Sequence, residues 1–222
     1  YRITEKKKKN LYLMPGMAAS PKIFELLDLP KNISVNFLTW IKPLKNESLN
    51  SYAFRMTKFI DSKNPILVGV SLGGVLVQEI SKIIKCEKII IISSIKSRSE
   101  LPVSLKMAKY TNIHKLLPIK WIEDIENLFL FVFGNKIKIR VGLYNKYLSE
   151  RNPEYLSWAI NSLVNWNQKN ILDSLIHIHG EEDNIFPISM IKKPVIKIKG
   201  SHAIILTQAN WFNINLPKII LN

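Results

Sequence analysis

Three side chains in this sequence stand where a chain can carry out acyl transfer. Ser71 lies in Gly69-Val70-Ser71-Leu72-Gly73, after the apolar run Ile66, Leu67, Val68 and before residues at helical spacing, so the serine falls at a strand-to-helix turn. A sharp turn there brings strand and helix close together. Glycines two residues either side of Ser71 meet that demand, since any side chain would collide. The turn also sets Ser71 at a helix N-terminus, where unpaired backbone N–H groups favour developing negative charge. The same five residues can also form a plain turn, so the rest of the chain must decide. Asp183 lies three residues past Gly180, after an apolar run ending at His179, and His202 follows Gly200-Ser201, after a predicted strand over residues 195–199. Catalytic groups of open parallel sheets gather beyond the carboxyl ends of strands, and these are three such ends.

The elements that would bring them together follow from the apolar pattern. Residues 11–14 are a short apolar run ending in Pro15-Gly16, and Ser20-Pro21 predicts a capped helix carrying Ile23, Phe24, Leu26 and Leu27. Residues 33–40 are β-branched and aromatic, the composition of a second strand. Leu49, Tyr52, Ala53, Met56, Phe59 and Ile60 then share one helical face. After the Ser71 turn comes a helix with Val75, Leu76, Val77, Ile80, Ile83 and Ile84, then an apolar strand at residues 88–92. This alternation predicts a parallel sheet with helices on both faces.

From residue 99 the rhythm changes. Helical stretches are separated by Pro102, Pro118, Gly134 and Pro153, and Asn152-Pro153 reads as a cap and first helical position, continued by Leu156, Ile160 and Leu163. We read residues 99–168 as a helical cap inserted into a core of residues 1–98 and 169–222; helices that merely cover the sheet are the alternative. The alternation resumes with a strand at 174–179, a polar loop at 181–187, the strand at 195–199 and a terminal helix over 203–220, expected to bend or break near Pro217.

Composition narrows the function classes. The chain has 222 residues, 47% of them hydrophobic and 22% charged, enough to bury a core as one domain and unlike a disordered segment. Its net charge of +15 comes mostly from lysines scattered along the whole chain, whereas phosphate or base recognition favours clustered arginine, so no specific nucleic-acid partner is expected. Cys86 is the only cysteine, which excludes an internal disulfide and a thiolate metal cage and fits a reducing, cytoplasmic setting. Lys6 to Lys9 followed by residues 11–14 imitates a secretory signal, but Pro15-Gly16 breaks the apolar part. No run is apolar and long enough for a transmembrane segment. The chain begins at Tyr1, which leaves room for an upstream segment. His177 and His179 alternate along a strand and read as structural, His114 falls in the cap, and no metal-ligand spacing exists, so neither a metal nor a cofactor is implied. The partner expected is a small-molecule substrate.

Gly69-Val70-Ser71-Leu72-Gly73, with Gly74 behind it, resembles the nucleophile elbow of the α/β-hydrolase superfamily. His179-Gly180-Glu181-Glu182-Asp183 with Pro187 is similar to that family's acid loop, Gly200-Ser201-His202 to its histidine loop, and the chain order Ser, Asp, His is the family's. The resemblance implies an α/β fold: an open, mostly parallel sheet with helices on both faces and a cap insertion, the family's first strands reduced to residues 1–10 or absent. It implies that Ser71 attacks, that His202 takes its proton and later gives it to the leaving group, and that Asp183 fixes the imidazole tautomer. It further implies an oxyanion hole from the N–H groups of Leu72 and Met17, although Pro15-Gly16-Met17 stands where many members have His-Gly. The activity so implied is hydrolysis of carboxylic esters or thioesters. Carbon–carbon bond hydrolase or lyase chemistry, and a non-catalytic receptor that kept the triad, are the alternatives. Trp121, Phe129, Phe131, Phe133 and Trp158 would place aromatic surface in the cap, as a group forming part of an apolar acyl pocket.

Overall fold

The computed structural model describes residues 8–111 and 146–222. Six strands form one sheet: β1 (Lys9–Met14), β2 (Ile33–Phe37), β3 (Ile66–Val70), β4 (Lys88–Ile92), β5 (Leu175–Gly180) and β6 (Ile196–Ile198), in the spatial order β2-β1-β3-β4-β5-β6. Every pairing is parallel, from Leu11 opposite Ile66 to Ile178 opposite Ile196. The sheet is the open parallel one expected, with helices on both faces. Its order explains the continuous apolar run of β3. Lying centrally and covered on both sides, that strand buries all five residues, so neither face can be polar. Full burial of Leu67 or Ile90 contributes about 1.5–3 kcal/mol each.

The helices are α1 (Leu49–Met56), α2 (Leu72–Ser81), α3 (Val103–Thr111), α4 (Pro153–Asn165), α5 (Ile204–Thr207) and α6 (Ala209–Leu221). In α1 the Ser48 side chain accepts from the Ser51 N–H, and the face Leu49, Tyr52, Ala53, Met56 is buried. That face ends sooner than its periodicity suggested: a 3₁₀ turn, Thr57–Phe59, follows, and Phe59 is exposed. In α4 the Asn152 side chain accepts from the Tyr155 N–H and Pro153 opens the helix, as the sequence predicts. No strand occurs among the described residues of 99–168.

Two expectations are corrected. Ser20-Pro21 starts only a 3₁₀ turn, Pro21–Phe24, and the Ser20 side chain makes no cap bond; Ile23 and Phe24 are buried after a single turn, and residues past Leu27 run on to β2. The terminal helix breaks at Gln208, between α5 and α6, and Pro217 lies inside α6. Phe212, Leu216 and Ile220 keep one buried stripe through the proline, so packing retains the helix where the missing N–H alone would end it.

Candidate active site

The turn after β3 is as tight as the glycine spacing requires. Ser71 has φ 52° and ψ −121°, a conformation rare for a residue with a side chain. A Cβ on Gly69 would lie 2.3 Å from the Gly73 carbonyl oxygen, and one on Gly73 would lie 2.4 Å from that of Pro15. Hydrogen bonds brace the turn on both sides: the Ser71 N–H donates to the Ile92 carbonyl at 2.9 Å, and the Ser94 hydroxyl donates to the Ser71 carbonyl at 2.7 Å. Half-buried, the Ser71 side chain stands at the N-terminus of α2.

Asp183 and His202 meet it there. His202 Nδ1–H donates to Asp183 Oδ2 at 2.8 Å, leaving Nε2 to accept from the Ser71 hydroxyl at 2.9 Å. His202 and Asp183 are both buried. The other carboxylate oxygen, Oδ1, accepts from the Ile185 and Phe186 N–H groups at 2.8 and 2.9 Å, a local turn closed by the aspartate side chain. Burial alone would raise the Asp183 carboxyl; the charge and hydrogen bond of His202 against it bring it below the ordinary carboxylate value. Glu181 and Glu182, its acidic neighbours, are exposed.

Leu72 and Met17, the two predicted oxyanion donors, line the same cavity as Ser71. Leu72 is the first residue of α2, where a backbone N–H has no intrahelical acceptor. Met17 sits in the loop after β1, whose Gly16 carbonyl accepts from Trp40 Nε1 at 2.8 Å and from the Ala19 N–H at 3.1 Å. A trans peptide points its N–H opposite to its C=O, so fixing the Gly16 carbonyl fixes the Met17 N–H. Neither N–H is taken by a partner among the described residues. Residues 147–155 tie the loop further: Ser20 N–H donates to the Tyr147 carbonyl, Glu150 N–H to that of Ala18, and Ala18 N–H to the Tyr155 hydroxyl.

Beside Ser71 lies a cavity of ≈ 50 Å3 walled by Met17, Ile23, Leu105, Leu148, Leu163, Ile185, Phe186 and Leu206. Its lining is apolar apart from Ser71 and His202. A wider, polar groove of ≈ 1110 Å3 lies by the far end of α2, between Lys42, Glu47, Glu79, Trp158 and Gln168, away from Ser71. Trp158 therefore does not wall the cavity. Its ring packs on Tyr52 at 4.2 Å between centroids and its Nε1–H donates to the Glu47 carbonyl, so it anchors α4 to α1. Trp121, Phe129, Phe131, Phe133 and His114 lie outside the described residues.

Trp40, Tyr155, Ser94 and the Ile185–Phe186 N–H pair escaped the sequence reading. The last had a signal: an aspartate ahead of a turn commonly closes it with its own side chain. His177 and His179, read as structural, are buried; His177 Nε2 lies 3.0 Å from His179 Nδ1, and His179 Nε2 lies 2.8 Å from the Phe186 carbonyl. Burial lowers the pKa of both rings, that of His177 to about 2, with each other's proximity and Lys96 adding to the effect on His177.

No family model and no curated protein matches the chain by sequence. Solved structures do match by shape. A lipase-esterase related protein from Clostridium acetobutylicum superposes with a TM-score of 0.70 at 17% identity, over 96% of this chain and 95% of that one. A hydrolase from Oleispira antarctica gives 0.71 at 15% identity, over 96% and 91%, and an esterase from Exiguobacterium antarcticum gives 0.71 at 12%, over 96% and 92%. From the parallel sheet, the turn after β3 and these likenesses over nearly the whole chain, the protein has the α/β-hydrolase fold.

Proposed function

We propose that the protein is a serine hydrolase that cleaves carboxylic esters or thioesters of small, apolar acyl groups through an acyl-enzyme. The observation that carries this reading is the continuous hydrogen-bond chain from Asp183 through His202 to Ser71, opening on an apolar cavity. The Ser71 oxygen attacks the acyl carbon as His202 Nε2 takes its proton. Asp183 holds the imidazole in the tautomer that makes this possible and stabilises the imidazolium. Negative charge on the substrate oxygen is received by the Leu72 and Met17 N–H groups, each such donor being worth about 3–4 kcal/mol in the transition state. His202 then gives the proton to the leaving alcohol or thiol. In the second half, His202 takes a proton from water, hydroxide adds to the acyl-enzyme, and the acid leaves as Ser71 regains its proton.

Residues 99–168 form a cap in this reading. Leu105 from α3, Leu148 from the segment before α4 and Leu163 from α4 itself stand on the cavity wall, which supports a role in choosing the acyl group. The esterase and lipase-related descriptions of the structural neighbours agree with the reading. Labelling by a fluorophosphonate, followed by a panel of p-nitrophenyl esters graded by chain length, tests it. Wild type should be labelled and prefer short acyl chains; Ser71→Ala should be unlabelled. Absence of label on folded wild type would leave the non-catalytic reading.

A further inference from the structure

We propose that His179 is a positioning residue that sets acid and base together through Phe186, an inference that rests on the serine-hydrolase reading. Phe186 makes three contacts on this path. Its N–H donates to Asp183 Oδ1, its carbonyl faces His179 Nε2 at 2.8 Å, and its fully buried ring stands edge-on to the His202 ring at 5.6 Å. A carbonyl oxygen can only accept, so His179 carries its proton on Nε2 and is an acceptor at Nδ1. His177 must then donate from Nε2 across the 3.0 Å between the rings. The Phe186 carbonyl thus fixes the His179 tautomer, and His177 Nδ1 stays buried without a hydrogen-bond partner among the described residues. His179 Nε2 also lies 3.4 Å from Asp183 Oδ2, the oxygen that receives His202. The arrangement ties the end of β5 to the far side of the acid loop, so the loop that carries Asp183 is closed by a side chain from the strand that begins it.

Neither ring walls the cavity beside Ser71, so the effect must act through Asp183 and His202. His179→Leu fills a similar volume and removes both ring nitrogens. It should lower kcat for p-nitrophenyl acetate about 10- to 100-fold, by analogy with the loss when a group that orients a metal-ligating side chain from behind is removed, with KM unchanged. Phosphonate labelling of Ser71 should slow in parallel, because labelling needs the same proton transfer to His202. His179→Gln restores an acceptor and a donor side by side and should recover most of both rates. A purely structural role would lower the melting temperature and leave labelling, measured well below it, at the wild-type rate. That result, or a glutamine variant as slow as the leucine one, overturns the proposal. Should His179→Leu not fold, His177→Leu leaves His179 and Phe186 in place, and a smaller loss in the same direction is expected; unchanged labelling there also overturns it. Wild type that is neither labelled nor active would instead overturn the hydrolase reading, and this proposal with it.

Discussion

Trp40 touches no reacting atom in the proposed mechanism, yet its indole N–H fixes the Gly16 carbonyl and with it the direction of the Met17 N–H. Trp40→Phe keeps the ring against Tyr52, Tyr155 and Trp158 and loses only that hydrogen bond. We expect the protein to fold and kcat toward p-nitrophenyl acetate to fall about tenfold, a fraction of what losing an oxyanion donor outright costs; steady-state kinetics on the folded variant checks this. Asp183→Asn should cost about 10⁴ in kcat, because an amide can accept the wrong imidazole tautomer, whereas Glu182→Gln on the exposed loop should stay within a few-fold of wild type. Equal damage from the two would reject the assignment of Asp183. At this scale the sequence announced Ser71, Asp183 and His202, because each follows a strand end that apolar runs mark. Trp40 was invisible, since its acceptor is a backbone atom in a different loop, and no pattern of residue types records which carbonyl a side chain will meet.

Between elements, the end of β4 is joined to the segment before β6 by a buried charge. Lys96 is fully buried, its ammonium hydrogen-bonded to the Lys192 and Pro194 carbonyls and 3.4 Å from Glu100, while the Glu100 carboxylate also accepts from the Lys96 and Lys192 N–H groups. Burial pulls the Lys96 pKa down and Glu100 opposes it, so the pair holds its charges only together. Lys96→Met should destabilise the protein by about 3–5 kcal/mol in urea unfolding at pH 7, since it leaves a buried carboxylate without its cation. Adding Glu100→Gln should recover part of that loss; a strictly additive double variant would show that the two do not interact. Strands were legible wherever both faces were apolar, as in β3 and β4. The start of α4 was legible because a cap residue and a proline stood there together, Asn152 and Pro153, whereas the Ser48 cap of α1 went unread. The break at Gln208 and the short turn after Ser20 were not, because tertiary packing of Ile23, Phe24, Phe212 and Leu216 overrides the local signals.

For the molecule as a whole, stability should depend on pH through His177. Its folded pKa of about 2 lies below the ordinary histidine value of 6.5, so the unfolded chain binds the proton first and stability falls as pH drops from 6.5 toward 2. Between pH 7 and pH 5 this ring alone accounts for about 2 kcal/mol. Lys96 and His179, the charged and titratable groups nearest it, make its protonation costlier still, and growing repulsion in a chain already at +15 acts in the same direction. Urea midpoints measured at both pH values should differ for wild type and draw closer for His177→Leu. The strained turn at Ser71 bears on engineering. Holding a side chain at φ 52° costs on the order of 1–3 kcal/mol, and glycine adopts that conformation freely at a smaller expense in unfolded-chain entropy. Ser71→Gly should therefore melt a few degrees above wild type while carrying no ester turnover. A library of this protein sorted only for heat resistance would enrich glycine at position 71, so any thermostability campaign must keep labelling of Ser71 as a parallel selection.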